Sequence, residues 1–118
     1  MPGGVQLTLN RPPATNNLFA TVGKRRIRSA RYDAWIAEAL WSIAFQKPGR
    51  VSGPFHFTMT VQRPDRRRRD LDGLCKPALD ILVKAGVTDD DSLCEAISLR
   101  WESREPTGEA VFICVEAA

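Results

Sequence analysis

Histidine occurs once in this chain, at His56, and the three cysteines Cys75, Cys94 and Cys114 stand far apart with no CxxC pair. A zinc centre needs several such ligands at short spacing, so that chemistry is disfavoured. The cysteines read as small buried apolar residues of a reducing compartment. No apolar run is long enough to cross a bilayer. The opening Met1, Pro2, Gly3 and Gly4 lack the basic and apolar regions of a secretion signal. The expectation is a cytoplasmic protein with no membrane partner. Internal repeats and low-complexity linkers are also missing, and 118 residues suit one domain over residues 1–118. Nor is there a large excess of one charge: 17 Lys and Arg against 14 Asp and Glu leave only +3.

What the chain does have is charge concentrated locally. Lys24, Arg25, Arg26, Arg28 and Arg31 form one basic group, and Arg63 with Arg66, Arg67, Arg68 and Arg69 forms another. Asp89, Asp90 and Asp91 form an acidic block. Separated blocks of both signs invite a search for a site.

Periodicity supplies the frame. Val5, Leu7 and Leu9 alternate with polar residues and predict a first strand. Residues 11–28, rich in Pro, Asn and Gly near the start and basic at the end, read as a long loop. Ser29 is placed to cap a helix running to about residue 46. Tyr32, Trp35, Ile36, Ala39, Leu40 and Ile43 make its apolar stripe, while Trp41 and Phe45 fall off it and suggest a second apolar contact, such as a partner subunit. Phe55, Phe57, Met59 and Val61 alternate with His56, Thr58, Thr60 and Gln62 as a half-buried strand. A second helix is expected from near Asp70, with Leu71, Leu74, Cys75, Ala78, Leu79, Leu82 and Val83 as its apolar face and Gly86 as its C-terminal cap. The last third reads as two strands, one through Ile97, Leu99 and Trp101 and one over 110–115, closing as a hairpin. The class is α+β, with a mixed or antiparallel sheet and two main helices.

The informative segment runs Arg66, Arg67, Arg68, Arg69, Asp70, Leu71, Asp72, with Lys76 and Asp80 beyond it. An aspartate at a helix start ordinarily caps free N–H groups, and Asp72 with Lys76 could be a plain surface ion pair. Packing, however, does not require two aspartates directly after four arginines with a third acidic group beyond the same helix. Converging carboxylates supply oxygen ligands for a hard divalent cation such as magnesium, with manganese as a substitute. Such an ion polarises a phosphodiester and helps to generate hydroxide. A lysine nearby offsets charge on phosphate oxygens, and the flanking arginines hold the backbone. The acidic turn lacks the spacing of a calcium loop, and whether it returns towards Asp70 and Asp72 is left open by sequence. The arginine run favours phosphate contact over a solvated loop. The earlier group of Lys24, Arg25 and Arg26 divides evenly between those readings. His56 reads as a partly exposed strand residue rather than a base, and Trp35, Trp41 and Trp101 as core or interface rather than base-stacking platforms.

These residues resemble the RusA family of Holliday junction resolvases. The resemblance covers most of the chain: Asn16 and Asn17, Ser29, Tyr32 and Trp35, Arg69 to Asp72, Lys76, Asp80, Gly86 and Val87, then Asp90, Asp91 and Ser92. It implies that Asp70, Asp72 and Asp91 are the essential metal-binding carboxylates, that Lys76 is a catalytic cation and that Arg69 contacts phosphate. Asp90 would have a lesser role and Asp80 a supporting one. Gly73 departs from the Asn usual in the family. The resemblance further implies a homodimer that cuts four-way junction DNA by paired symmetric nicks, leaving 5′-phosphate and 3′-hydroxyl ends. Isologous symmetry suits a junction with an approximate two-fold axis. Two other readings stand beside it: a nuclease tolerant of branched and flap DNA, and a junction-binding module without catalysis. The acids speak against the last, since a pure binder gains affinity by losing carboxylates near phosphate.

Overall fold

The computed structural model describes residues 4–14 and 17–118. Asn16, one of the residues carrying the resemblance, lies outside them. Strand β1 (Gly4–Asn10) buries Val5, Leu7 and Leu9 and exposes the residues between, as the alternation predicts. The segment expected to be a loop instead contains a hairpin, β2 (Phe19–Val22) with β3 (Arg25–Arg28). Gly23, at φ +63°, begins its two-residue turn, where tight hairpins need a positive φ. All eight strand residues are exposed, so no buried face left an alternation to read.

Helix α1 (Ala30–Gln46) begins where Ser29 accepts the Tyr32 N–H at 3.1 Å. The Ser29 hydroxyl also donates to the Asn17 carbonyl at 2.8 Å, tying the helix start to the preceding segment. Tyr32, Trp35, Ile36, Ala39 and Ile43 are buried and Leu40 half-buried, while Trp41 and Phe45 stack on each other at 5.6 Å on the outer face.

Strands β4 (Phe55–Val61), β5 (Cys94–Trp101) and β6 (Ala110–Ala117) join β1 in a mixed sheet of order β1-β6-β4-β5. The last two strands are therefore not a hairpin. β4 lies between them, antiparallel to β6 and parallel to β5. Phe55, Phe57, Met59 and Val61 of β4 are at most 1% exposed, and a central position is the one that covers such residues. Residues 102–109 carry the chain over the end of β4, where the Glu102 N–H donates to the Val61 carbonyl and the Gln62 N–H to that of Ala110. Periodicity identified both strands but held no information about their neighbours.

The second helix starts later than expected. A 3-10 turn over Asp72–Leu74 precedes α2 (Cys75–Lys84). Pro77 has no N–H to bond back to residue 73, so it suits the first turn of a helix and not its interior. The buried face is also turned from the expected one: Pro77, Ala78, Leu79, Ile81 and Leu82 are buried, whereas Leu71, Cys75 and Val83 are only half-buried. Gly86 (φ +77°) ends the helix as expected, with its N–H on the Val83 carbonyl and that of Val87 on Leu82. This pair of bonds satisfies carbonyls the helix itself leaves free. α2 is the crossover that a parallel β4–β5 pair requires, and it sets residues 70–76 beside the turn that leads into β5. No helix among the described residues is long and apolar enough to cross a membrane.

Candidate active site

After β4 the chain turns through Pro64 into the arginine run, and Asp65 organises it. Asp65 accepts from Nε and Nη2 of Arg69 at 3.1 and 2.7 Å and from the Arg67 N–H at 3.1 Å. The Arg69 guanidinium holds the Asp65 carboxyl down at about 2. Arg66 instead reaches Glu105 at 2.7 Å in an exposed ion pair. The run is thus divided. Arg66 and Arg69 are held by acids of the chain, while the Arg67 and Arg68 side chains make no hydrogen bond or ion pair to the described residues.

Arg67 and Arg69 open onto a cleft of about 1140 Å³ together with Asp70, Asp72 and Gly73. Arg26 reaches it from the hairpin, Arg31 and Trp35 from α1, and Trp101 from the end of β5. Arg26 itself lies over the Phe19 ring at 4.3 Å. Lys24 and Arg25, at the tip and start of β3, do not line the cleft. Asp70 and Asp72 are exposed carboxylates with no side-chain hydrogen bond or ion pair to the described residues, although arginines surround them. An unpaired pair of hard oxygen donors is suited to a divalent cation.

The acidic turn sorts into three roles. Asp89 pairs with Arg50 and accepts the Gly53 N–H at 3.0 Å, bracing the loop before β4. Asp90 caps its own 3-10 turn, Asp91–Leu93, by accepting the Ser92 N–H at 2.9 Å. Asp91 accepts from Lys76 Nζ at 2.8 Å, and the same ammonium reaches Asp80 at 3.0 Å. Hydrogen bonds to Asp91 and then Asp80 push the Lys76 ammonium well above its ordinary range, and the lysine in turn lowers the Asp91 carboxyl. Lys76 therefore pairs with these two acids rather than with Asp72.

The acidic turn does return to the start of α2, but it meets Lys76 there. Asp91 and Asp80 border an adjoining cavity of about 540 Å³, and Arg26 forms part of the wall of both spaces. Among the described residues no three Asp, Glu, His or Cys side chains stand where together they could hold an ion. His56 is exposed on the outer face of the sheet, away from this cleft. Sequence reasoning overlooked Arg11, which lines the cleft just after β1. A lone arginine before two prolines carries no pattern that would mark it.

Comparison with known proteins gives a family model described as endodeoxyribonuclease RusA, which matches residues 10–115. Among curated proteins, the crossover junction endodeoxyribonuclease RusA of Aquifex aeolicus (strain VF5) is 30% identical over 82 residues, 69% of this chain and 65% of that protein. The chain thus spans just under two thirds of that relative's length. The proteins of the same name from Escherichia coli (strain K12) and Shigella sonnei (strain Ss046) are each 36% identical over 93 residues, 73% of this chain and 72% of theirs.

Proposed function

Since the chain belongs to the RusA family of endodeoxyribonucleases, we propose that it resolves four-way DNA junctions by metal-dependent hydrolysis, as a homodimer that makes paired nicks. One observation carries this reading. Asp70 and Asp72 stand without side-chain partners among the described residues, in a cleft that Arg11, Arg26, Arg31, Arg67 and Arg69 also line. Cations there suit a polyanionic strand, and carboxylates without a structural partner suit the ion that activates it.

The carboxylates of Asp70 and Asp72 suit magnesium, with manganese as a substitute, and would hold it; Asp91, the third carboxylate of the resemblance, is turned to Lys76 and would have to leave it to join them. A bound ion of this kind lowers the pKa of water and withdraws charge from a phosphate oxygen. The protein's own groups supply the rest. Lys76, fixed between Asp80 and Asp91, keeps a positive charge near the acids at every working pH. Its pairing lowers the Asp91 carboxyl further and occupies one of its oxygens. Arg67 and Arg68 have donors free for backbone phosphates, while Arg69 is oriented by Asp65. Lys24, Arg25 and Arg26 extend the basic surface along the hairpin, and Arg26 is the member that reaches the cleft. The stacked Trp41 and Phe45, 70% and 76% exposed on α1, offer apolar area of the kind a dimer buries.

The test is cleavage of a labelled synthetic four-way junction with magnesium, beside linear duplex and flap DNA. Symmetric nicks in the junction alone are expected. Equal cutting of all three would replace this reading with that of a structure-tolerant nuclease. Tight binding without cutting would make the chain a binding module.

A further inference from the structure

Arg11 is held in place by the backbone around it. Its N–H donates to the Glu109 carbonyl at 2.8 Å, which fastens it beside the start of β6. Pro12 follows it, fully buried, and a residue before proline is confined to extended conformations. From that fixed base the guanidinium lines the cleft that also holds Arg69, Asp70 and Asp72. Its Nη1 is buried and has no hydrogen-bond partner among the described residues.

Arg11 as a whole is half-buried, and a chain normally meets a charge drawn partly out of water with an acid. Here the acids within reach of its field are otherwise placed. Asp65 accepts from Arg69 and from the Arg67 N–H, and neither Asp65 nor Glu109 forms an ion pair with Arg11. Burial and the like charge of Arg69 both weigh against the Arg11 cation. No described side chain supplies the anion that would complete this arrangement. The planar fork of arginine matches phosphate oxygens.

We propose that Arg11 binds a backbone phosphate of the DNA strand lying in the cleft, on its Arg69 side, as the anion its unpaired guanidinium lacks. This rests on the reading of the chain as an endonuclease of DNA junctions. It adds a phosphate contact from the end of β1, outside both basic blocks of the sequence. It also makes Arg11 a binding residue whose presence weakens the DNA-free protein.

The experiment compares wild type, Arg11→Met and Arg11→Lys. Affinity for the four-way junction and for linear duplex is measured across a range of salt, with a chelator present so that no strand is cut. Thermal melting of the DNA-free proteins and junction cleavage with magnesium are measured in parallel. Arg11→Met is expected to bind roughly tenfold more weakly. Its log affinity against log salt should be shallower by roughly 0.9, the value for one lost phosphate contact. Its melting temperature should be unchanged or raised, and Arg11→Lys should keep the wild-type slope. A wild-type slope in Arg11→Met overturns the proposal while wild-type cleavage leaves the endonuclease reading standing. Failure of Arg11→Met to fold also overturns it, because the guanidinium would then be structural. If the wild type binds DNA of neither kind, the reading and the proposal fall together. If it cuts linear DNA as readily as junctions while Arg11→Met loses slope, the contact stands and only the junction preference falls.

Discussion

Asp65 shows how one carboxylate sets the behaviour of its neighbours. Its folded-state carboxyl titrates at about 2, against an ordinary 3.8, because Arg69 donates to it. A depressed carboxylate contributes stability above its ordinary pKa and loses that contribution as pH falls from near 3.8 towards 2. The group is exposed, so the expected effect is local. By NMR titration the Asp65 carboxyl should rise towards its ordinary value in Arg69→Gln, the Arg67 N–H still holding it somewhat low. A carboxyl still at its wild-type value there would mean that Arg69 is not its partner. At Asp70 the expectation concerns chemistry: Asp70→Asn should slow junction cleavage by roughly a hundredfold or more while binding stays equal or tightens. Normal cleavage by that variant would remove Asp70 from the metal site. Asp70, Asp72, Lys76 and Asp91 were legible in the sequence because nothing in packing asks for that spacing. How the arginines divide was not legible, since the partner of Arg66 is Glu105, which sequence separates widely from it. Arg11 was invisible for the same reason: its lack of a partner exists only once the chain has folded.

Elements with a buried face were readable, and those without one were not. α1 declared itself through its stripe and through Ser29, and Ser29→Ala should cost about 1 kcal/mol in urea denaturation. A smaller loss would show that the Ser29 N–H, which donates to the Leu18 carbonyl at 2.8 Å, holds the helix start without the hydroxyl. The β2–β3 hairpin escaped because its residues are exposed and its one diagnostic position is Gly23. The arginine loop makes a prediction as a unit. Arg67→Ala with Arg68→Ala, the two side chains with no acid of their own, should flatten the salt dependence of DNA binding by roughly two contacts' worth, about 1.8 in slope. The same pair of changes at Arg66 and Arg69 should disturb the loop as well as the charge. An unchanged slope in the first double variant would take this loop off the DNA surface.

At the scale of the whole molecule, the mixed sheet carries helices on one face and leaves surface over. Ile97 pairs in register with the buried Phe57, yet it is 52% exposed, so the layer of helices does not fully cover β5. Trp41 and Phe45 on α1 are exposed as well. If the proposed dimer forms through the α1 face, Trp41→Glu with Phe45→Glu should lower the mass measured by sedimentation. An unchanged dimer would place the contact elsewhere, with Ile97 the next position to alter. Sequence gave strands and helices but not the order β1-β6-β4-β5, because strand pairing is decided by how all four inner faces share one core. That order has a consequence for the chain during its synthesis. β1 emerges before the other described strands, and its sheet neighbour among the described residues is β6, whose residues leave the ribosome about a hundred positions later. Until then β1 and one flank of β4 present open hydrogen-bonding edges, which are sites for pairing with other chains. Ribosome-bound chains arrested before residue 110 should therefore be bound by chaperones and sensitive to protease, and both properties should vanish once β6 is free to insert.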